Sequence, residues 1–419
     1  MSTDNTAPRR RAGIPANRKK AIALSLALGA ATGAWLASRN RPPAANVDAD
    51  ALPGERAPMM DWEQARGIAV AMNRGGAMTL PERTRLDAYY RALVARCVPI
   101  VAAYTGDALP PTAAERTYAF DRVDWVNANI AGFEHLFAPL EGLNPNTGTS
   151  AAAVIWGGAN QKVVSAELGV MLGYLARRVL GQYDLALLGR EPVGTGKLYY
   201  VEPNIAQVEK QLGLPGDDFR MWLALHETTH AFEFEAHPWL REHFNDLLEQ
   251  YFAYLRQDAE RLRAEGVRGL GMFVDRVRSG DRGEGSWFET LMTPEQRALF
   301  SRLQATMCVV EGYSNHVMNA VGKDLLPTYA LISRKFEQRQ RERSAAEQLF
   351  NRLTGLDVKM SQYRLGEAFV NRVVAARGHD FARRVWDGPE SLPSMEEIRH
   401  PEQWLARIDA TDAIAARAD

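Results

Sequence analysis

Apolar residues recur at three- and four-residue spacing over Trp62 to Met72, Pro81 to Tyr104, Val123 to Leu140 and Gln161 to Leu180, a period that predicts four helices. Within the last of these, Gly169 and Gly173 stand beside Leu168 and Leu172, while Glu167 and the Arg177-Arg178 pair exclude a membrane span. A buried helix whose glycines admit a close neighbour is expected there. One segment reads as a strand: Lys197 to Val201 (KLYYV) is rich in aromatic and β-branched residues and is closed by Pro203. Beyond it, Pro215-Gly216-Asp217 supplies a break and a cap for a further helix, and Pro238 limits its far end. Thr293-Pro294-Glu295-Gln296 has the form of another helix start, with a pattern running through Val310 and, after Pro327, from Arg334 to Leu353. Between these helices, Arg276 to Ser286 (RVRSGDRGEGS) has too much charge to pack and is expected to be a mobile loop. The fold class predicted is mainly α, with a short β-strand element next to the helix that begins near Gly216.

Charge divides the chain into segments. Residues 1–20 hold six basic residues against one acid, Asp4, and Ala21 to Ala37 follow as seventeen residues without charge. That length lies between a secretory apolar core and a short membrane span, and a single N-terminal anchor is the preferred expectation, with a cleaved signal segment as the alternative. The basic excess before the run places the N-terminus inside and the main domain outside the cytoplasm; if the run neither anchors nor targets, the protein is cytoplasmic. Residues 38–60 read as a Pro- and Ala-rich linker, residues 61–410 as the folded domain and 411–419 as a tail. With 50 basic and 51 acidic side chains the whole chain offers no field for a polyanion, so nucleic acid is not an expected partner. Cys97 and Cys308 form no C-x-x-C motif, which excludes a cysteine-based zinc site.

The sharpest chemical signal is His226-Glu227-Thr228-Thr229-His230. Two histidines four apart on a helix share a face and can both reach one Zn²⁺, and the glutamate after the first can face a water on that ion. Such an arrangement suits hydrolysis, with Glu227 as the base that takes a proton and later delivers it to the leaving group. A catalytic zinc needs a third protein ligand. Glu235, His237 and His243 are the nearby alternatives; His237 would lie about 10 Å along the axis from His230, and His243 beyond the break is most simply a surface residue. Glu311 is the better candidate, because it is a carboxylate in the apolar stretch Met307-Cys-Val-Val-Glu311-Gly312, where a charge is costly unless paired or bound to metal. His316 is next, and a salt bridge to an arginine would also account for Glu311. Gly312 would let another backbone or a ligand come close.

At these residues the chain resembles the zincin-like metallopeptidases of type 2, largely actinobacterial proteins described as zinc hydrolases or as associated with deazaflavin-coenzyme biosynthesis. The resemblance extends through Asp121-Arg-Val-Asp-Trp125, Arg178-Val-Leu-Gly-Gln-Tyr-Asp184, Val201-Glu-Pro-Asn204, Phe219-Arg-Met-Trp222, Pro238-Trp-Leu-Arg241, Glu311-Gly312, Gln362-Tyr-Arg and Pro389-Glu-x-Leu-Pro393. It implies a mainly helical zincin-like domain with zinc on His226, His230 and Glu311, and Glu227 as base. The chain departs from the family where Tyr313 and Asn319 replace a usual histidine and aspartate. Tyr313 and His316 are candidates for the shell behind the ligands. The resemblance also implies that Lys197 to Val201 is an edge strand able to pair with an extended peptide, against the alternative of an interior strand. The expected function is therefore a zinc-dependent hydrolase acting on a peptide or protein substrate. A non-peptide amide or ester would use the same machinery, and the alternative of another class is a membrane-associated binding or scaffold protein without turnover.

Overall fold

The computed structural model describes residues 60–138, 151–184, 196–265, 292–341 and 356–418. The basic N-terminus, the Ala21 to Ala37 run, nearly all of the linker and the Arg276 to Ser286 segment lie outside these residues. In chain order the elements are α1 (Trp62–Met72), α2 (Leu80–Thr105), β1 (Thr117–Phe120), α3 (Arg122–Phe137), α4 (Ala151–Leu175), β2 (Gly181–Asp184) and β3 (Lys197–Val201). They continue as α5 (Glu202–Leu212), α6 (Gly216–Glu235), α7 (Trp239–Glu265), α8 (Pro294–Leu325), α9 (Tyr329–Arg341), α10 (Leu356–Arg377), α11 (His379–Ala382), α12 (Met395–Arg399) and α13 (Pro401–Ala418). The fold is mainly α, as the periodicity predicts. Among the described residues no helix is long and apolar enough to cross a membrane.

Several helix starts are set by side-chain caps. Thr79 and Glu82 form a capping box at α2, Asp121 accepts from the amides of Val123 and Asp124 at α3, and Thr293 with Gln296 forms the box that opens α8. The start of α6 differs from expectation: its N-cap is Pro215, which has no side chain to accept a hydrogen bond, and Asp217 and Asp218 instead lie in the first turn. There they favour the positive end of the helix dipole. Asp218 also accepts from the amide and hydroxyl of Thr328, tying this end of α6 to the chain beyond α8.

The three strands form one sheet in the order β1-β3-β2, with β1 parallel and β2 antiparallel to β3. The edge position implied for Lys197 to Val201 is thus corrected. It is the interior strand, and Leu198 through Val201 are all buried. Leu198 and Tyr200 enter the larger core with α2, α6, α8 and α10, whereas Val201 joins a smaller core made by α1, α3 and α4.

Two glycine contacts bring helices to backbone distance. A β-carbon on Gly169 of α4 would lie 2.6 Å from the Ala65 carbonyl oxygen of α1, so the expected close helix neighbour is present. On α8, a β-carbon on Gly312 would collide with the Gly366 carbonyl carbon of α10 and lie 2.6 Å from the Glu367 nitrogen. Gly312 therefore admits another backbone, and it does so one residue after Glu311.

Candidate active site

Helix α6 has 3.6 residues per turn, so residues 226 and 230 project on one side and residue 227 about a third of a turn away. The His226 and His230 Nε2 atoms stand 3.2 Å apart. Glu311, delivered by α8, brings Oε2 to 3.8 Å from the His226 Nε2 and 4.0 Å from the His230 Nε2. Among the described residues these three form the group of metal-ligating side chains that converge, with all donor atoms within 4.8 Å of one another. Among the described residues no arginine pairs with Glu311; its neighbours are the imidazoles. Glu311 keeps 24% of its side chain exposed, so the cluster opens to solvent.

The residues fit a zinc ion on the chemistry of the donors. His230 Nδ1 donates to Glu233 Oε2 at 2.8 Å, so Nε2, which faces His226 Nε2, is the ring atom that would hold a cation in place of its proton. Two ring nitrogens this close need a proton or a cation between them. A tetrahedral ion with bonds of about 2.0–2.1 Å spaces its donors by about 3.3 Å, close to the nitrogen separation seen. The charge balance points the same way, because the Glu227, Glu233 and Glu311 carboxylates surround only two imidazoles.

Glu233 forms the support behind the ligands. Its Oε1 accepts from the Ser314 hydroxyl at 3.0 Å, and the same hydroxyl lies 3.0 Å from His230 Nδ1. A carboxylate on the far nitrogen of a ligating histidine fixes the ring and raises its basicity. Sequence reasoning missed this pair, although Glu233 is three residues beyond His230 and Ser314 three beyond Glu311. His226 has no such support among the described residues: its Nδ1 is buried without a partner.

Burial dominates the electrostatics. It pushes the Glu227 carboxyl up to about 7, with the nearby Glu311 charge adding and His230 opposing. Burial also disfavours charge on both imidazoles. His226 is held well below the usual histidine range, with His230 adding to the effect, whereas Glu233, Glu311 and Glu227 together outweigh burial at His230 and raise it to about 9.

The structure does not bring Tyr313 and His316 to this cluster. From Glu311 they are turned by about 200° and 140° around α8, whereas Ser314 is turned by only about 60°. The Tyr313 hydroxyl lies 3.2 Å from His379 Nε2, and His316 lies between the Tyr104 hydroxyl at 2.7 Å and Asn371 Oδ1 at 2.6 Å. The nearby alternatives on and after α6 are also engaged elsewhere. Glu235 pairs with Arg116 at 2.8 Å, and His237 stacks on Trp386 with its Nε2 3.5 Å from Asp107. His243 is buried rather than on the surface, near Thr306 of α8, because α7 folds back against α8.

Helix α6 meets the sheet at β2. Gly181 packs against Glu227, and Tyr183 donates to Glu235 Oε1 at 3.1 Å. Val201 donates its amide to the Leu180 carbonyl at 2.8 Å, so the alternation of an antiparallel ladder turns the amide and carbonyl of Gly181 away from β3. The edge beside Glu227 therefore belongs to β2.

A search of functionally curated proteins finds no match. A crystal structure described as "a putative hydrolase with a novel fold" from Chloroflexus aurantiacus is 45% identical, with a TM-score of 0.61 over 84% of this chain and 99% of the other. The model of the zincin-like metallopeptidase family matches residues 60–405, nearly all of the folded part, and the chain belongs to that family.

Proposed function

We propose that the protein is a zinc-dependent hydrolase that cleaves a peptide or amide bond, with the metal held by His226, His230 and Glu311 and with Glu227 as general base. The observation that carries this reading is the convergence of three ligand side chains beside a buried glutamate that makes no hydrogen bond among the described residues. When bound, Zn²⁺ supplies Lewis acidity toward a carbonyl oxygen and a water of lowered pKa. Glu227 takes a proton from the attacking water and returns it to the leaving nitrogen. Glu233 and Ser314 keep the His230 ring in one tautomer and orientation throughout. The edge of β2 beside Glu227, which pairs with no strand among the described residues, favours an extended peptide as substrate. In this reading the Ala21 to Ala37 run tethers the domain to a membrane, which partition of the full chain between membrane and soluble fractions tests.

Glu227→Gln is the decisive substitution. It should retain zinc and lower turnover of a peptide-library substrate by about 10²–10⁴-fold. Full activity in that variant refutes the base assignment. A wild-type protein that binds zinc and turns over no peptide in the library favours the binding-protein alternative.

A further inference from the structure

Glu227 is buried, and no hydrogen bond fixes its carboxylate among the described residues, so packing sets its position. The contact that defines it comes from β2. A β-carbon on Gly181 would lie 2.5 Å from Glu227 Oε1, 2.7 Å from Cδ and 2.8 Å from Cγ. Non-bonded heavy atoms in contact need about 3.5–4.0 Å, so any side chain at Gly181 evicts the carboxylate from its seat. Backbone conformation is not the reason for glycine here, because Gly181 is not among the positive-φ residues.

The strand has no room to retreat instead. Trp125 Nε1 donates to Gln182 Oε1 at 2.6 Å on one side of β2, and Tyr183 reaches Glu235 on the other. Glu235 is itself held by Arg116, which also donates to the Gly196 carbonyl at 2.6 Å. The Glu227 backbone lies within the largely buried helix α6. The flexible Glu227 side chain is then the part that must give.

We propose that Gly181 is a positioning residue for Glu227: the missing side chain on β2 forms the seat that aims the carboxylate at the ligand cluster. This inference rests on the reading of Glu227 as the base. Replacing Gly181 by alanine should displace the base while leaving the fold and the metal ligands intact.

Acetohydroxamic acid is a suitable probe, since a hydroxamate gives up a proton on binding a cation and needs an acceptor placed beside it. Its affinity for the zinc-loaded full chain would be measured by calorimetry for wild type, G181A, E227Q and the double variant. The expected result is one zinc per chain in all four, with affinity at least tenfold weaker in G181A and in E227Q. The double variant should be within twofold of E227Q, because both changes act through one carboxylate. Wild-type affinity in G181A, with E227Q weakened, overturns the inference alone; so does a double variant whose losses multiply. Wild-type affinity in E227Q overturns the reading of Glu227 and the inference with it. If G181A lowers the melting temperature, adding E227A should abolish that decrease by emptying the space. A decrease that persists in the E227A background contradicts the steric coupling.

Discussion

Gly312→Ala tests how the fold delivers Glu311 to the site. In an open helix this change stabilises by about 1 kcal/mol, because alanine has the higher helix propensity. At Gly312 the new methyl would lie 2.6 Å from the Gly366 carbonyl oxygen and the Glu367 nitrogen, and closer still to the Gly366 carbonyl carbon. These are backbone atoms and cannot rotate aside. Restoring a contact of about 3.4 Å to the nearest of these atoms requires α8 and α10 to part locally by about 1 Å, a gap that forfeits roughly half of the dispersion energy across it. The Cys308, Val309, Phe369, Val370 and Val373 side chains are all buried in the core that these helices share. Overpacking of this kind costs about 1–3 kcal/mol, and the rigidity of both partners places the net loss near 2 kcal/mol. Urea denaturation followed by circular dichroism would measure it, with Gly132→Ala on α3 as control, since nothing lies within 4 Å of a β-carbon there. The control should gain stability where Gly312→Ala loses it. Equal gains in both variants would refute the close backbone contact.

Glu233→Ala should weaken zinc binding about 10–100-fold in a chelator-competition titration, because it strips the His230 Nδ1 of its buried acceptor; unchanged affinity would remove Glu233 from the site. Stability should also depend on pH through His379, which burial, assisted by the His316 and Arg383 charges, holds at about 4. The unfolded chain takes up that proton below about 6.5 while the folded chain does not, so this stability is present above 6.5 and is lost as pH falls toward 4. Urea midpoints between pH 7.5 and 4.5 should therefore decline less steeply in His379→Gln than in wild type.

Legibility from sequence followed the length of each signal. The prediction of Trp62 to Met72 coincides with α1, and that of Pro81 to Tyr104 falls within one residue of α2 at either end, because both carry several turns of periodic apolar residues. Helix α4 begins ten residues before the predicted Gln161, in a stretch of alanines and apolar residues with no polar face to set a period. β1 (TYAF) and β2 (GQYD) span four residues each, too few for alternation to register, and their pairing joins segments far apart in the chain. That gap placed the sheet edge on the wrong strand. At the site, His226, Glu227 and His230 were readable because one helix holds them. Glu311 was readable as a carboxylate in an apolar stretch and through the family resemblance. Gly181 carries no local signal, since its role arises from a contact between β2 and α6. Helix geometry alone would have separated Ser314 from Tyr313 and His316 once Glu311 was taken as the reference.

Zinc stoichiometry by elemental analysis of the wild-type chain, set beside His230→Ala and Glu311→Ala at matched purity, addresses the three-ligand centre most directly. The account predicts one zinc per wild-type chain and its loss or sharp weakening in both variants, with the fold preserved. A folded wild-type protein that takes up no zinc when supplied with it would contradict the account.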